Sequence, residues 1–217
     1  GSFELREPMP TKWWHYGEKR PALYRTIKSM DRVIVIAKTS KTVAFTFTST
    51  KQVLNANLAI IAFDKFMYYS VLQSNLHLFW SLKYCTTMKT DLIYTISDVF
   101  ETFPFPQNLN FQKEKQLETI GETYHEHRKQ LMLNIQLGLT KTYNLFHSAG
   151  ITEGGVDEKD KQVLLLHKHL AKTPGTVSFD EVIQGILKLR ELHVEMDEAV
   201  LEAYGWASDG LEGKAIK

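Results

Sequence analysis

In "KWWHYGEKRPALYR", residues 12–25, Lys12, Lys19, Arg20 and Arg25 are crowded among Trp13, Trp14, His15, Tyr16 and Tyr24. Cations at this density suit an anionic partner and flat rings suit a flat one, because ammonium and guanidinium groups pair with phosphate oxygens while aromatic faces stack. Large rings also close cores, so the aromatics of this stretch are expected to be structural and its cations to face outward. Two further stretches set cations beside hydroxyls. One is Lys38, Thr39, Ser40 and Lys41; the other is "KYCTTMKTD", with Lys83, Thr86, Thr87 and Lys89.

Other chemistry fails on spacing. His125/His127 and His167/His169 resemble ligand pairs, but on a helix residues two apart point about 200° away from each other and cannot share one metal ion. Cys85, the single cysteine, has only His77 nearby, eight residues back, and a lone cysteine is ordinarily a small packed hydrophobe rather than a nucleophile. "EGGVDEK" lacks the strand-turn-helix context and the spacing of a phosphate-cradling loop. The expectation is a chain with no active site and no metal site of its own.

The elements that must position the basic stretches follow from period. "RVIVIAKTS", "VAFTFTS", "LAIIAF" and "LIYTI" are rich in β-branched and aromatic residues and read as strands. The first two are expected to form a hairpin with Lys38–Lys41 at its tip. Between the last two, Met67, Val71, Leu72, Leu76, Phe79 and Leu82 recur at near-helical spacing, which predicts one helix over 64–82 packed on the sheet. Beyond "FETFPFPQNLN", whose prolines interrupt regular pairing, the period is helical throughout. Leu117, Ile120, Tyr124, Leu131, Ile135 and Leu139 mark a long helix broken near Gly138. Ser178 with Glu181 is a capping-box signature opening another that runs to about residue 200. "GITEGGVDEKDK" reads as a flexible loop. The predicted class is therefore α+β: a small mixed or antiparallel β-sheet domain with a packed helix in residues 1–105, then an all-α helical region in 106–217.

Composition bounds the rest. The 217 residues are 43% hydrophobic and 24% charged, ordinary for a globular protein with a real core. Apolar runs such as Val33–Ala37 and Leu58–Phe63 are far shorter than the roughly 20 residues a bilayer-spanning helix needs. No membrane partner is expected, and a cytoplasmic location fits the single cysteine. The leading Gly-Ser resembles a cloning remnant, and a longer parent polypeptide is expected. Charge is unevenly divided: residues 1–105 hold 13 Lys/Arg against 8 Asp/Glu, a net +5, whereas 106–217 hold 13 against 17, a net −4. The basic half is the one suited to polyanions.

Seven segments carry a more specific resemblance: "WWHYGEKRPALYR", "RVIVIAKTSKTVAF", "LQSNLHLFW", "TMKTDLIYTISDVFETFPFP", "YHEHRKQLM", "GLTKTYNLFH" and "LRELHVEMDEAVLEAYGW". In this order, from about residue 12 to 206, the chain resembles the C-terminal portion of large bacterial adenine-specific DNA methyltransferases of the type IIG/IIL restriction-modification group. In that family a target recognition domain and helical region follow the methylase domain. The resemblance implies sequence-specific recognition of double-stranded DNA, with the methylase domain of the same polypeptide as a second partner. The family's glycine-containing S-adenosylmethionine motif and its Asn-Pro-Pro-Tyr motif are both missing here. This fragment is thus expected to be non-catalytic and cofactor-free, with S-adenosylmethionine belonging to the parent enzyme and methyl transfer to a flipped adenine done elsewhere.

A duplex reader needs cations for phosphates and paired donors and acceptors for base edges. On that basis Arg20, Arg25, Lys38, Thr39, Ser40, Lys41, Lys83, Thr87 and Lys89 are the expected DNA-binding residues, with base reading centred on Lys38–Lys41. Each assignment has a bland rival. Arg20 and Arg25 have Glu18 and Asp31 as alternative partners. Gln73, Ser74 and His77 read as a polar helix face towards water or the methylase domain. His125, His127, Arg128 and Lys129 read as a minor basic patch on an otherwise acidic scaffold, and Tyr204 and Trp206 as apolar anchors. A protein-interaction module that never meets nucleic acid is the competing reading of the whole chain.

Overall fold

A computed structural model describes residues 20–88, 91–173 and 177–206. Trp13 and Trp14 lie outside them. The chain begins with a short helix α1 (Pro21–Thr26), opened by a proline whose fixed φ suits the first helical position. It then enters β1 (Arg32–Ala37), the centre of a three-stranded antiparallel sheet with β3 (Thr46–Ser49) and β4 (Leu58–Ile61) as its edges. Alternation along β1 divides its side chains between two cores. Val33 and Val35 meet Ile27, Leu54 and Ile60 beneath α1, whereas Ile34 and Ile36 join the main core on the other face. A strand covered on both faces reads as the continuous apolar run that "VIVI" is.

Residues 38–41 are not the tip of a tight hairpin. After Ala37 the chain leaves the first sheet, and β2 (Thr39–Ser40) pairs with β6 (Asp91–Ile93), which also pairs with β5 (Thr86–Met88) in a second antiparallel sheet. Lys38 is the joint: its N–H donates to the Asn57 carbonyl at 2.8 Å, and its carbonyl accepts from Tyr94 N–H at 2.7 Å. β-Propensity marks both flanking segments but does not say that a strand changes sheets between them.

The helix predicted over 64–82 is two, α2 (Phe66–Gln73) and α3 (Asn75–Tyr84). Ser74 breaks it with an extended backbone, and its hydroxyl caps the second helix by accepting from His77 N–H. Residues 96–100 form a π-type turn, so the strand in "LIYTI" stops at Ile93. Beyond the prolines α4 (Phe111–Ile135) ends at Gln136, which takes the left-handed conformation, and α5 (Leu139–Phe146) follows. The expected break near Gly138 is there. "GITEGGVDEKDK" is more ordered than a flexible loop, since Ile151–Thr152 (β7) and Gly155–Val156 (β8) form a small hairpin inside the helical half. Asp160 then caps α6 (Lys161–Leu170). In α7 (Phe179–Ala203) the capping box is as predicted: Glu181 N–H donates to Ser178 Oγ at 3.2 Å and Ser178 N–H to Glu181 Oε2 at 2.7 Å. The architecture is α+β with helices packed at the C-terminal end.

Helix α4 packs against both α2 and α7. Gly121 permits the first contact, because a Cβ there would lie 2.7 Å from the Phe66 carbonyl oxygen, and Ser70 Oγ donates to the Leu117 carbonyl at 2.7 Å across the same crossing. Gly185 permits the second, where a Cβ would meet Leu131 Cδ1 at 2.6 Å. One core runs from Ile34 to Met196, so sheet and helices on either side of residue 105 share it. The proline junction is itself packed: Phe105 lies against Phe63, Phe100 and Phe103, and Tyr204 Oη donates to the Pro104 carbonyl at 2.6 Å.

At the centre of this core is a cation. Arg128 is 2% exposed, not part of a surface patch. Its Nη1 donates to Tyr143 Oη at 3.0 Å and Gln73 Oε1 at 3.2 Å, and its Nη2 to the Phe45 carbonyl at 2.5 Å. Gln73 Oε1 also accepts Phe45 N–H at 2.9 Å, so both backbone polar groups of Phe45 are held. The rings of Tyr69, Tyr124 and Tyr143 surround the guanidinium with centroids 5.7 to 5.9 Å away. Arg128→Ala should therefore cost about 3–5 kcal/mol in urea denaturation, because it leaves the buried Phe45 carbonyl without its donor and takes one partner each from Gln73 and Tyr143. A loss below about 1 kcal/mol would mean that the cage is incidental.

Candidate nucleic-acid interface

The second sheet brings two of the predicted polar stretches together. Across β2, β6 and β5, Thr39 and Thr86 both pair with Ile93, and Ser40 and Thr87 both pair with Leu92. Paired residues share a face, so Thr39 stands in one row with Thr86 and Ser40 in the other row with Thr87. Thr39, Thr86 and Thr87 are exposed, and Ser40 is half-buried with its Oγ accepting Thr42 N–H at 3.1 Å. Lys41 is exposed and borders a small cavity with Leu82 of α3 and Leu92 of β6. Lys83, near the end of α3, is exposed with its Nζ 5.3 Å from the Tyr84 ring centroid. Lys89 lies outside the described residues.

Arg20 joins this surface through the turn before β4. Its Nη2 donates to the Ala56 carbonyl at 3.4 Å, next to the Asn57 carbonyl that holds Lys38. Arg20 takes a left-handed backbone, φ 46°, ahead of α1. Arg25 is exposed in the last turn of α1, and nothing described ties it to the second sheet. Asp31, the alternative partner for these arginines, instead faces Lys51 at 3.4 Å in an exposed pair; Glu18 lies outside the described residues. Sequence reasoning passed over residues 55–57. Asn55-Ala56-Asn57 between two β-rich runs is a turn signal, and the turn lies beside Arg20 and Lys38.

Several polar groups that looked available are internal. Gln73, Ser74 and His77 are buried at 4%, 1% and 0% exposure, so they form no face towards water. His77 Nε2 lies 3.0 Å from Tyr94 Oη, and burial pushes its pKa down to about 3. Burial also raises the Cys85 thiol, the wrong direction for a thiolate nucleophile. His127 Nε2 meets the Gly185 carbonyl, His169 Nε2 the Ile135 carbonyl, and His167 Nε2 the Glu158 carboxylate. Among the described residues no group of three or more His, Cys, Asp or Glu side chains is placed to hold a metal ion. No described helix is long and apolar enough to cross a membrane.

The helical half offers different chemistry. A groove of about 850 Å³ between α4 and α7 is lined by Glu195, Glu198 and Glu202 with Lys115, and Trp206 stands 53% exposed at its side. Carboxylates in this number oppose phosphate. Arg190, equally unforeseen, is structural: it donates to the carbonyls of Phe146, Ile151 and Ser148 at 2.7, 2.5 and 2.8 Å, tying α7 to the end of α5 and to β7.

A family model described as "MmeI, target recognition domain" matches residues 5–107. No curated protein matches the chain. Among solved structures, that of the Type IIL restriction-modification enzyme MmeI in complex with DNA aligns with 82% of this chain at 17% sequence identity and a TM-score of 0.49. This chain spans 19% of that protein's length.

The buried imidazoles set the acid response. Burial depresses His77 to about 3 and His125 and His193 to about 4, below the value near 6.5 of the unfolded chain. The unfolded state thus binds protons first, and the stability these groups contribute, present above pH 6.5, is lost as pH falls towards 4. Asp197 acts the other way, since burial raises it to about 6 and the folded state takes up its proton first. The depressed imidazoles outweigh Asp197 and predict a urea midpoint that falls from pH 7 to pH 4.5, and His77→Gln should flatten the fall. Equal slopes for both proteins would contradict the assignment.

Proposed function

We propose that the β-rich half of this chain, whose residues 5–107 match the MmeI target recognition domain model, reads the sequence of double-stranded DNA for an adenine-specific methyltransferase of a restriction-modification system. The observation that carries the reading is the meeting of three separate stretches: Thr87 lies across β6 from the Lys38–Lys41 stretch, and Arg20 bonds the turn whose Asn57 carbonyl holds Lys38. A narrow antiparallel ribbon is one of the forms that fits the major groove. In this division of labour Arg20, Arg25, Lys83 and Lys89 neutralise phosphates, and Lys38–Lys41 with Thr87 meet base edges.

The helical half, residues 106–217, serves as a scaffold whose acidic groove faces protein, the methylase domain of the same polypeptide being its natural partner. The parent enzyme uses S-adenosylmethionine and works in the cytoplasm. None of the 217 residues is assigned to the cofactor, since neither its glycine-containing motif nor Asn-Pro-Pro-Tyr occurs among them. What this chain contributes is the choice of adenine.

Duplex binding measured by gel shift should weaken steeply with salt, as expected when phosphate contacts release counterions. Arg25→Ala should reduce the magnitude of the slope of log K against log salt by about one unit and leave sequence preference unchanged. Lys41→Ala should instead cost about 1–3 kcal/mol on the preferred site alone. A protein-interaction module would show no such salt dependence.

A further inference from the structure

The turn between β3 and β4 supplies a specificity residue that the basic stretches do not contain. Ala37 pairs with Leu58, and the bond from Lys38 N–H to the Asn57 carbonyl carries that register one step further. Asn57 and Lys38 are therefore side by side on one face, and Arg20 donates to the adjoining Ala56. Asn57 thus has Lys38 paired opposite it and Arg20 bonded to the residue before it.

The turn is held by hydrogen bonds in which the Asn57 side chain takes no part. Asn55 Oδ1 accepts Asn57 N–H at 2.8 Å, and the Asn55 carbonyl accepts Leu58 N–H at 3.2 Å. Leu54 is 7% exposed, and its N–H donates to Tyr24 Oη at 3.3 Å. The Asn57 side chain is exposed, and no hydrogen bond joins its amide to another described residue. A hydrogen-bonded turn that presents an unspent donor and acceptor near phosphate-seeking cations is the arrangement direct readout requires.

We infer that Asn57 reads an adenine in the major groove, its carbonyl accepting from N6–H and its amide donating to N7, while Arg20 and Lys38 flank it. Asparagine offers one donor and one acceptor side by side, and adenine is the base whose major-groove edge complements that pair. The inference rests on the DNA-reading proposal above.

Selection of the chain on a duplex pool with randomised sequence tests it. The unsubstituted chain should return a motif containing adenine at a position where Asn57→Ala lowers the preference for adenine about ten-fold, the loss expected for one bidentate contact. All other positions and the salt slope should be unchanged, because asparagine carries no charge. Asn57→Asp presents acceptors only and should move that one position towards cytosine, whose N4 group donates. Arg20→Ala, the control, should flatten the salt slope and keep the motif. If both Asn57 variants return the original motif, or lose affinity equally for every sequence, the inference is overturned while DNA reading stands. If the unsubstituted chain shows neither a motif nor salt-dependent binding, DNA reading itself fails and takes this inference with it.

Discussion

The buried guanidinium of Arg128 is the interaction on which the rest of the structure depends. A charge in a protein interior is tolerated only when every donor finds an acceptor, and no carboxylate among the described residues supplies one here. The acceptors are instead a tyrosine hydroxyl from α5, an amide from α2 and a backbone carbonyl from the segment leading into β3. Four parts of the chain must be in register for that set to exist. The consequence for function is local. Phe45 ends the connection that begins at Lys38, so fixing both of its backbone polar groups anchors one end of the proposed reading segment, while Lys38's bonds to Asn57 and Tyr94 anchor the other.

This anchoring explains why a helical half of opposite charge belongs with a basic sheet. Residues 106–217 carry a net −4 and repel phosphate on average, yet α4 contributes Arg128 and α5 contributes Tyr143 to the clamp that orders the basic half. Polarity is segregated: carboxylates gather along the α4–α7 groove, whereas Thr39, Ser40 and Thr87 lie on the second sheet, with Lys38 and Arg20 at the neighbouring turn. A duplex approaching this molecule meets a surface whose sign is set by which element faces it.

The sequence disclosed what depends on local pattern. The β-branched run in "RVIVIA" marked β1, the Ser178–Glu181 pair marked the start of α7, and the change of period after the prolines marked the helical half. Non-local pairing was hidden. Nothing in Lys38–Lys41 says that its partner is Leu92–Ile93 rather than the next strand, because two hydroxyl residues carry no register signal. Buried polar groups were hidden for a related reason: Arg128 and Gln73 jointly hold Phe45, His77 meets Tyr94, and only the assembled core shows that these inward polar residues have partners. The cations on the candidate surface were legible because their chemistry is intrinsic. Asn57 was not, because an asparagine in a turn looks the same whether or not it stands beside two cations.

Lysine-acetylation footprinting with and without a duplex tests the central assignment most directly, since reagent and DNA compete for the same ammonium groups. Lys38, Lys41 and Lys83 should become protected when duplex is added, while Lys115, Lys129 and Lys188 on the helical half keep their reactivity. Protection of the helical lysines with Lys38, Lys41 and Lys83 unchanged, or no protection anywhere, would contradict the assignment of DNA reading to the β-rich half.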